Sequence, residues 1–275
     1  MTPSAKALPA WVDKLRDVLT NNMKENKDLI SYALATTSAH DSHQARVRYV
    51  VHRGFVNERR KQGDGSQNLL QDDSGRDLIS DKLVVTTDAR SPKARQLALE
   101  PKVELAWWMA ATQHQFRIVG RAYIFPSSAF SIHEATTGIA GGSDTTTDST
   151  KQLSFPFPKK QLAPYDDFNW EDERVRQFRK MSPELRASFY RPVPGTKTAD
   201  TEVTMEELPQ TLPEGIEEAE GEEQKKQVEQ ALKNFALIVI DANEVDLVDL
   251  GSTPDSRSLW VRQEGGDWKE DGLVP

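Results

Sequence analysis

The chain has 275 residues, 37% hydrophobic and 8% aromatic, enough for a sizeable core in one large domain or two small ones. Its net charge of -8 argues against a general nucleic-acid-binding surface, because phosphate contacts need clustered cations, but it leaves room for a local cationic site. The absence of cysteine excludes disulfides, thiolate nucleophiles and cysteine-ligated metals.

The opening MTPSAKALPAW has no apolar segment suited to a signal peptide, and no apolar run approaches bilayer-spanning length. A cytoplasmic protein, with the nucleus also open to it, is the expectation, with neither membrane nor nucleic acid as partner. Residues 1–8 read as disordered, and residues 9–275 as a single domain. An amphipathic helix starts at Pro9-Ala10-Trp11, with Trp11, Leu15, Val18 and Leu19 at helical spacing. Residues 29–37, LISYALATT, form a first strand, followed by a polar turn with His40 and His43, read as loop histidines. Residues 46–55, RVRYVVHRGF, form a second strand. Alternation puts Val47, Tyr49 and Val51 on one face and Arg46, Arg48, Val50 and His52 on the other. An arginine in so apolar a strand needs an anion or a solvent-facing side, so Arg48 and Arg53 are candidate anion ligands. A half-exposed strand with snorkelling arginines is the alternative.

After a polar, Gly-rich loop over 57–81, residues 83–120 read as strand, helix, strand, strand. Ser91-Pro92 signals the helix start, a Ser N-cap followed by Pro at the first helical position. Unpaired N–H groups at a helix start favour anions, and here Thr86, Thr87, Arg90, Ser91 and Lys93 surround them. A phosphate seat is one reading; a capped surface helix with solvated cations is the other. Residues 103–108 are apolar enough for a buried strand. Phe116, Ile118 and Gly120 mark the next, with Gln115 and Arg117 on its other face, extended by 121–125.

Residues 127–134 read as a short helix with His133, and 136–154 as a low-complexity flexible loop. Two short helices follow over 170–190, the second opened by Ser182-Pro183-Glu184. Residues 199–230 are acidic and poor in aromatics, and read as an exposed insertion, either a solvated loop or a partner-binding arm. Residues 234–240 and 245–250 are strands, and 256–262 with 267–269 a final hairpin turning at Gly265-Gly266. Six to eight strands with short connections predict a mainly β (α+β) protein, an antiparallel barrel with peripheral helices rather than a βαβ sheet.

Several segments, in this order and spacing, resemble the pyridoxamine 5′-phosphate oxidase superfamily, and within it the Alr4036-type FMN-binding domain. They are PAWVDKL, RVRYVVHRGF, VVTTDARSPKARQLALEPKVELAWW, QHQFRIVGRA, MSPELRASFYRPVPG, NFALIVIDANEVDLVDL and the terminal DWKEDGLVP. The resemblance implies an FMN-binding split β-barrel. It implies that Arg48 and Arg53 are the basic residues of the strand motif, that Thr87 is the hydroxyl after the next strand, and that Ser91 and Lys93 belong to the phosphate cluster, with Pro92 in place of the usual arginine. It further implies Gln115 as the glutamine that bonds the flavin ring and Arg257 as the C-terminal arginine near it. Homodimerisation with FMN at the interface follows from the same resemblance.

The departures bear on the substrate. Val248 stands where a tryptophan usually packs near the flavin, and Thr253 falls near the position of a substrate-binding arginine. The vitamin B6 site is therefore not retained, and Arg186 and Ser188 are candidates for a substitute. The resemblance implies an FMN-dependent oxidoreductase acting on an unknown small substrate. The alternatives are a non-catalytic flavin-binding or interaction module, and a split barrel holding another ligand such as haem, for which His52 or His114 would be the axial ligand.

Overall fold

The structure, a computed structural model, describes residues 7–25, 30–38, 43–59, 70–131 and 154–275. Helix α1 (Ala10–Glu25) buries Trp11, Val12, Leu15, Val18 and Leu19, the stripe its spacing predicts. The strands are β1 (Ser31–Ser38), β2 (Gln44–Phe55), β3 (Leu83–Asp88), β4 (Lys102–Met109), β5 (His114–Phe125), β6 (Phe235–Asp249), β7 (Ser256–Arg262) and β8 (Trp268–Leu273). All pair antiparallel in the order β3-β2-β1-β4-β5-β6-β7-β8, and β3 pairs back onto β6. Six strands thus close a barrel, and β7 and β8 extend from the second half of β6. Helix α2 (Pro92–Leu99) lies across β1 and β5 and buries Ala94 and Leu97 in the same barrel core as Leu34, Phe116 and Ile118.

The 15-residue β6 explains the near-continuous apolar run FALIVI. Ala236, Ile238 and Ile240 face the barrel core, while Phe235, Leu237 and Val239 face a second core. That second core is roofed by helices α3 (Lys159–Leu162), α4 (Trp170–Arg179), α5 (Pro183–Ser188) and α6 (Gly221–Asn234), which bring Leu162, Trp170, Phe178 and Val228 onto it. A register shift at Val119/Gly120 bends β5 along β6. A Cβ at Gly120 would collide with the Asp241 carbonyl, so the close approach of the two strands requires glycine there.

Three sequence expectations need revision. Strand β4 is not buried on both faces: Val103, Leu105, Trp107 and Met109 point inward, while Glu104, Ala106 and Trp108 point out. Residues 127–131 form a turn closed by Phe130 N–H to the Ser127 carbonyl at 3.0 Å, not the start of a helix; His133 and residues 136–153 lie outside the described residues, as does His40. The acidic stretch over 199–230 is only partly an exposed loop. Leu212 is buried, and from Gly221 the chain is helical with Val228 in the second core. Its average composition concealed a few well-spaced apolar residues that suffice to dock it.

Among the described residues, no helix is long and apolar enough to cross a membrane.

Candidate functional site

The turn from β3 into α2 is built by local capping. Ser91 Oγ accepts from the Ala94 N–H at 3.3 Å, and Pro92 occupies the first helical position, where its missing N–H costs nothing. Alternation along β3 places Val85 and Thr87 toward the core and Thr86 away from it. Thr87 Oγ1 lies 3.2 Å from Ser91 Oγ and accepts from Lys93 Nζ. Two hydroxyls and an ammonium therefore meet at the helix start.

Arg48 reaches the same place from β2. It shares its side of the strand with the buried Val50 and His52. Its Nη1 donates to Thr36 Oγ1 at 2.6 Å and its Nη2 to Gln96 Oε1 at 2.8 Å, while Thr36 Oγ1 donates to Gln96 Oε1 at 2.7 Å. The guanidinium is thus fixed by β1 and α2 through neutral groups alone. Burial, and then the neighbouring Arg46, lower its proton affinity. Lys93 is affected more. Desolvation first, then the charge of Arg48, push its ammonium down to about 8, against an opposing pull from Asp88. Among the described residues, no carboxylate forms an ion pair with Arg48 or Lys93.

Arg53 comes in from the other side of β3, where its Nε donates to Thr86 Oγ1 at 3.3 Å. Burial lowers its proton affinity too, and it has no described carboxylate partner. Arg90, placed beside the phosphate seat by sequence, is spoken for. It chelates Asp88, with Nε–Oδ1 3.0 Å and Nη2–Oδ2 2.7 Å.

Gln115 and Arg257 do not join this cluster. On β5, Phe116 and Ile118 fill the core, so Gln115 faces outward. One row of paired residues runs Trp108, Gln115, Val248, Arg257 across four strands on that outer face. Arg257 chelates Asp246 at 3.0 and 2.8 Å, and Arg117 donates to the same carboxylate. Burial works to raise the Asp246 carboxyl, and the two arginines outweigh it and hold it below the usual carboxylate range. The row therefore presents an amide and a carboxylate-anchored guanidinium beside the half-exposed indole of Trp108. Thr253 lies in the β6–β7 turn.

The remaining candidates are structural. Arg186 is buried, with its guanidinium donating to the backbone carbonyls of Leu212 at 3.0 Å, Arg179 at 3.1 Å and Met181. Ser188 Oγ donates to the Leu185 carbonyl at 2.6 Å. These two do not make a substitute substrate pocket. His52 packs its ring among Tyr32, Phe55 and Trp107, 5.0 Å from the last. His114 Nδ1 sits 2.7 Å from the Thr112 carbonyl, with Nε2 3.4 Å from Asp249. Neither is disposed as an axial ligand. Sequence reasoning missed Thr36 and Gln96, whose polarity marks nothing until α2 is laid across β1.

Residues 8–126 match the family model of the pyridoxamine 5′-phosphate oxidase FMN-binding domain, and the matched part holds the whole cationic cluster. A pyridoxamine 5′-phosphate oxidase-related, FMN-binding protein from Nostoc punctiforme shares the fold, with a TM-score of 0.60 at 20% identity over 98% of this chain and 99% of that one. PhzG from Burkholderia lata, solved in complex with tetrahydrophenazine-1-carboxylic acid, gives a TM-score of 0.51 at 13% identity over 99% of this chain and 100% of that one. At such identities the likeness is one of fold, and it makes this an FMN-binding-type split barrel. No curated protein matches the chain.

Proposed function

We propose that this chain binds FMN, seating the phosphate on Arg48, Thr87, Ser91 and Lys93, with Arg53 contributing from beyond β3. The observation that carries the reading is the pairing of the half-buried Arg48 with Lys93, with no carboxylate among the described residues paired to either, around the buried hydroxyls of Thr87 and Ser91 at a helix start. Two partly desolvated cations held only by neutral acceptors are costly without an anion, and a phosphate dianion meets that need. The donor set fits a phosphate monoester better than a carboxylate, since it converges from two strands and a helix rather than in one fork.

A flavin bound there would supply hydride or electron transfer to and from a small substrate. Gln115 would donate or accept at the ring, and Arg257 would place positive charge near it, its orientation held by Asp246. Within one chain, these two residues and the phosphate seat lie on opposite faces of the sheet. A homodimer resolves this, with one copy giving the seat and its partner the outer row. The outer face is suited to that role, since Tyr49 and Val47 are 78% and 65% exposed and Trp108 is 47% exposed. The reaction proposed is an FMN-dependent oxidation or reduction of a small molecule other than a vitamin B6 phosphate, because Thr253 falls near the place of the arginine such a substrate needs, and Val248 takes that of a tryptophan beside the flavin.

The same replacements support a second reading, a flavin-binding module without turnover. Both are tested on purified protein mixed with FMN and passed through gel filtration. Flavin absorbance should travel with the wild type and be lost in an Arg48→Ala, Lys93→Ala double variant; a colourless wild type overturns the cofactor assignment. Bleaching by NADH or NADPH and recolouring in air would favour the enzyme, and no bleaching the module.

A further inference from the structure

Asp88 poses a problem for an anion seat. It immediately follows Thr87, it is buried, and its charge reaches Lys93. A carboxylate freed from its own bonds this close to the helix start would compete with a phosphate for the ammonium. It is retained because it builds the turn: Asp88 Oδ1 accepts from the Arg90 N–H at 2.8 Å, and the Ser91 N–H bonds the Asp88 carbonyl at 3.1 Å. Arg90 closes on both carboxylate oxygens. Its Nη2 also donates to the carbonyls of Phe189 at 3.2 Å and Arg191 at 2.9 Å, just beyond α5. Asn234 at the end of α6 donates to the same Phe189 carbonyl at 2.8 Å, and its own carbonyl accepts from the Ala89 N–H at 2.8 Å. The guanidinium is therefore held from the helical layer, independently of α2.

We infer that Arg90 is a positioning residue of the anion seat, clamping Asp88 onto the helical layer so that the carboxylate cannot pair with Lys93. The inference rests on the phosphate-seat reading and adds to it a residue that touches no ligand. The charges that act on Lys93 are those of Arg48 on β2, which lowers its proton affinity, and Asp88 on β3, which raises it. Arg90 sets which of its two possible counterions, Asp88 or a phosphate, the lysine meets. It also explains why the helices over 170–234, which bring no side chain to the cationic cluster, matter to it.

The test compares FMN and riboflavin, which lacks the phosphate, by quenching of flavin fluorescence on wild type, Arg90→Gln, Asp88→Asn and the Asp88→Asn, Arg90→Gln double variant. The expectation is that Arg90→Gln weakens FMN roughly tenfold or more, the worth of one charge-assisted contact. Riboflavin should be unaffected, and the double variant should recover FMN binding. A double variant as weak as Arg90→Gln, or riboflavin falling in step with FMN, overturns the inference, since a purely structural clamp is not rescued by neutralising Asp88. Should Arg90→Gln fail to fold, Asp88→Asn decides: retained FMN affinity supports the inference, and loss overturns it. A wild type that does not prefer FMN to riboflavin refutes the phosphate seat instead. The clamp is then judged in the flavin-free protein by the titration of Lys93, followed by NMR after reductive ¹³C-methylation. It should move up in Arg90→Gln and back in the double variant, and no movement overturns the inference.

Discussion

Lys93 is the residue at which stability and binding oppose each other. Its titration near 8 lies below the 10.5 of an unperturbed lysine. Between those values the unfolded chain holds a proton that the native, flavin-free protein lacks. Stability of the flavin-free protein should therefore rise with pH across that window, as seen in denaturant midpoints. Binding should respond in the opposite sense: above pH 8 the seat must take up a proton to hold a phosphate dianion, so FMN affinity should fall as pH rises, while riboflavin affinity stays flat. Lys93→Met removes a desolvated charge, and should raise the flavin-free stability by about 1–2 kcal/mol in urea unfolding while weakening FMN. Arg48 and Lys93 could be picked out in the sequence because a cation in an apolar strand, or just after Ser-Pro, needs a reason. Gln96 and Thr36 could not, since nothing local separates them from surface polar residues. Arg90 stood in the sequence as one more cation, and its engagement with Asp88 and two distant carbonyls became visible only once α5 was in place.

At the scale of elements, α2 depends on its cap. Ser91→Ala should cost about 1 kcal/mol of stability by chemical denaturation, the usual price of losing an N-cap. It should also weaken FMN, because the same hydroxyl belongs to the seat. The helical layer depends on Arg174, buried in α4, which donates to the carbonyls of Leu232 at 2.7 Å and Phe235 at 3.1 Å where α6 ends. Arg174→Ala leaves those carbonyls without this donor and should destabilise the protein by about 2–3 kcal/mol in the same assay. Both helix starts with a Ser-Pro pair were legible, since capping is written in adjacent residues. The second half of the acidic stretch was not. Its charge masked Val228, as the charge around Leu212 masked that residue, and the value of both depends on a sheet face supplied by β3 and β6. Strand β4 misled in the other direction: Trp107 and Trp108 are equally apolar, yet alternation buries one and leaves its neighbour half in solvent.

For the molecule as a whole, strand number and antiparallel pairing followed from short connections, whereas barrel closure through β3 on β6 joins residues about 150 apart and has no local signature. The outer row of Gln115 and Arg257 became a candidate through family resemblance, but its direction could be read in the alternation of QFRIV. On the proposed reading, that direction calls for a second copy. Tyr49→Asp combined with Trp108→Asp should convert a dimer into a monomer in sedimentation velocity and weaken flavin binding, with far-ultraviolet circular dichroism unchanged. A wild type that sediments as a monomer yet binds FMN would refute the shared site.

If the proposed seat grips FMN by its phosphate, titrating wild-type protein with FMN and with riboflavin in one calorimetric series at pH 7 reads that grip as a difference in affinity. Two charge-assisted contacts at about 1.5–3 kcal/mol each predict that FMN binds at least about 100-fold more tightly, with the preference erased in the Arg48→Ala, Lys93→Ala variant. Equal affinity for the two flavins, or a preference that survives the loss of both cations, would rule out the phosphate seat.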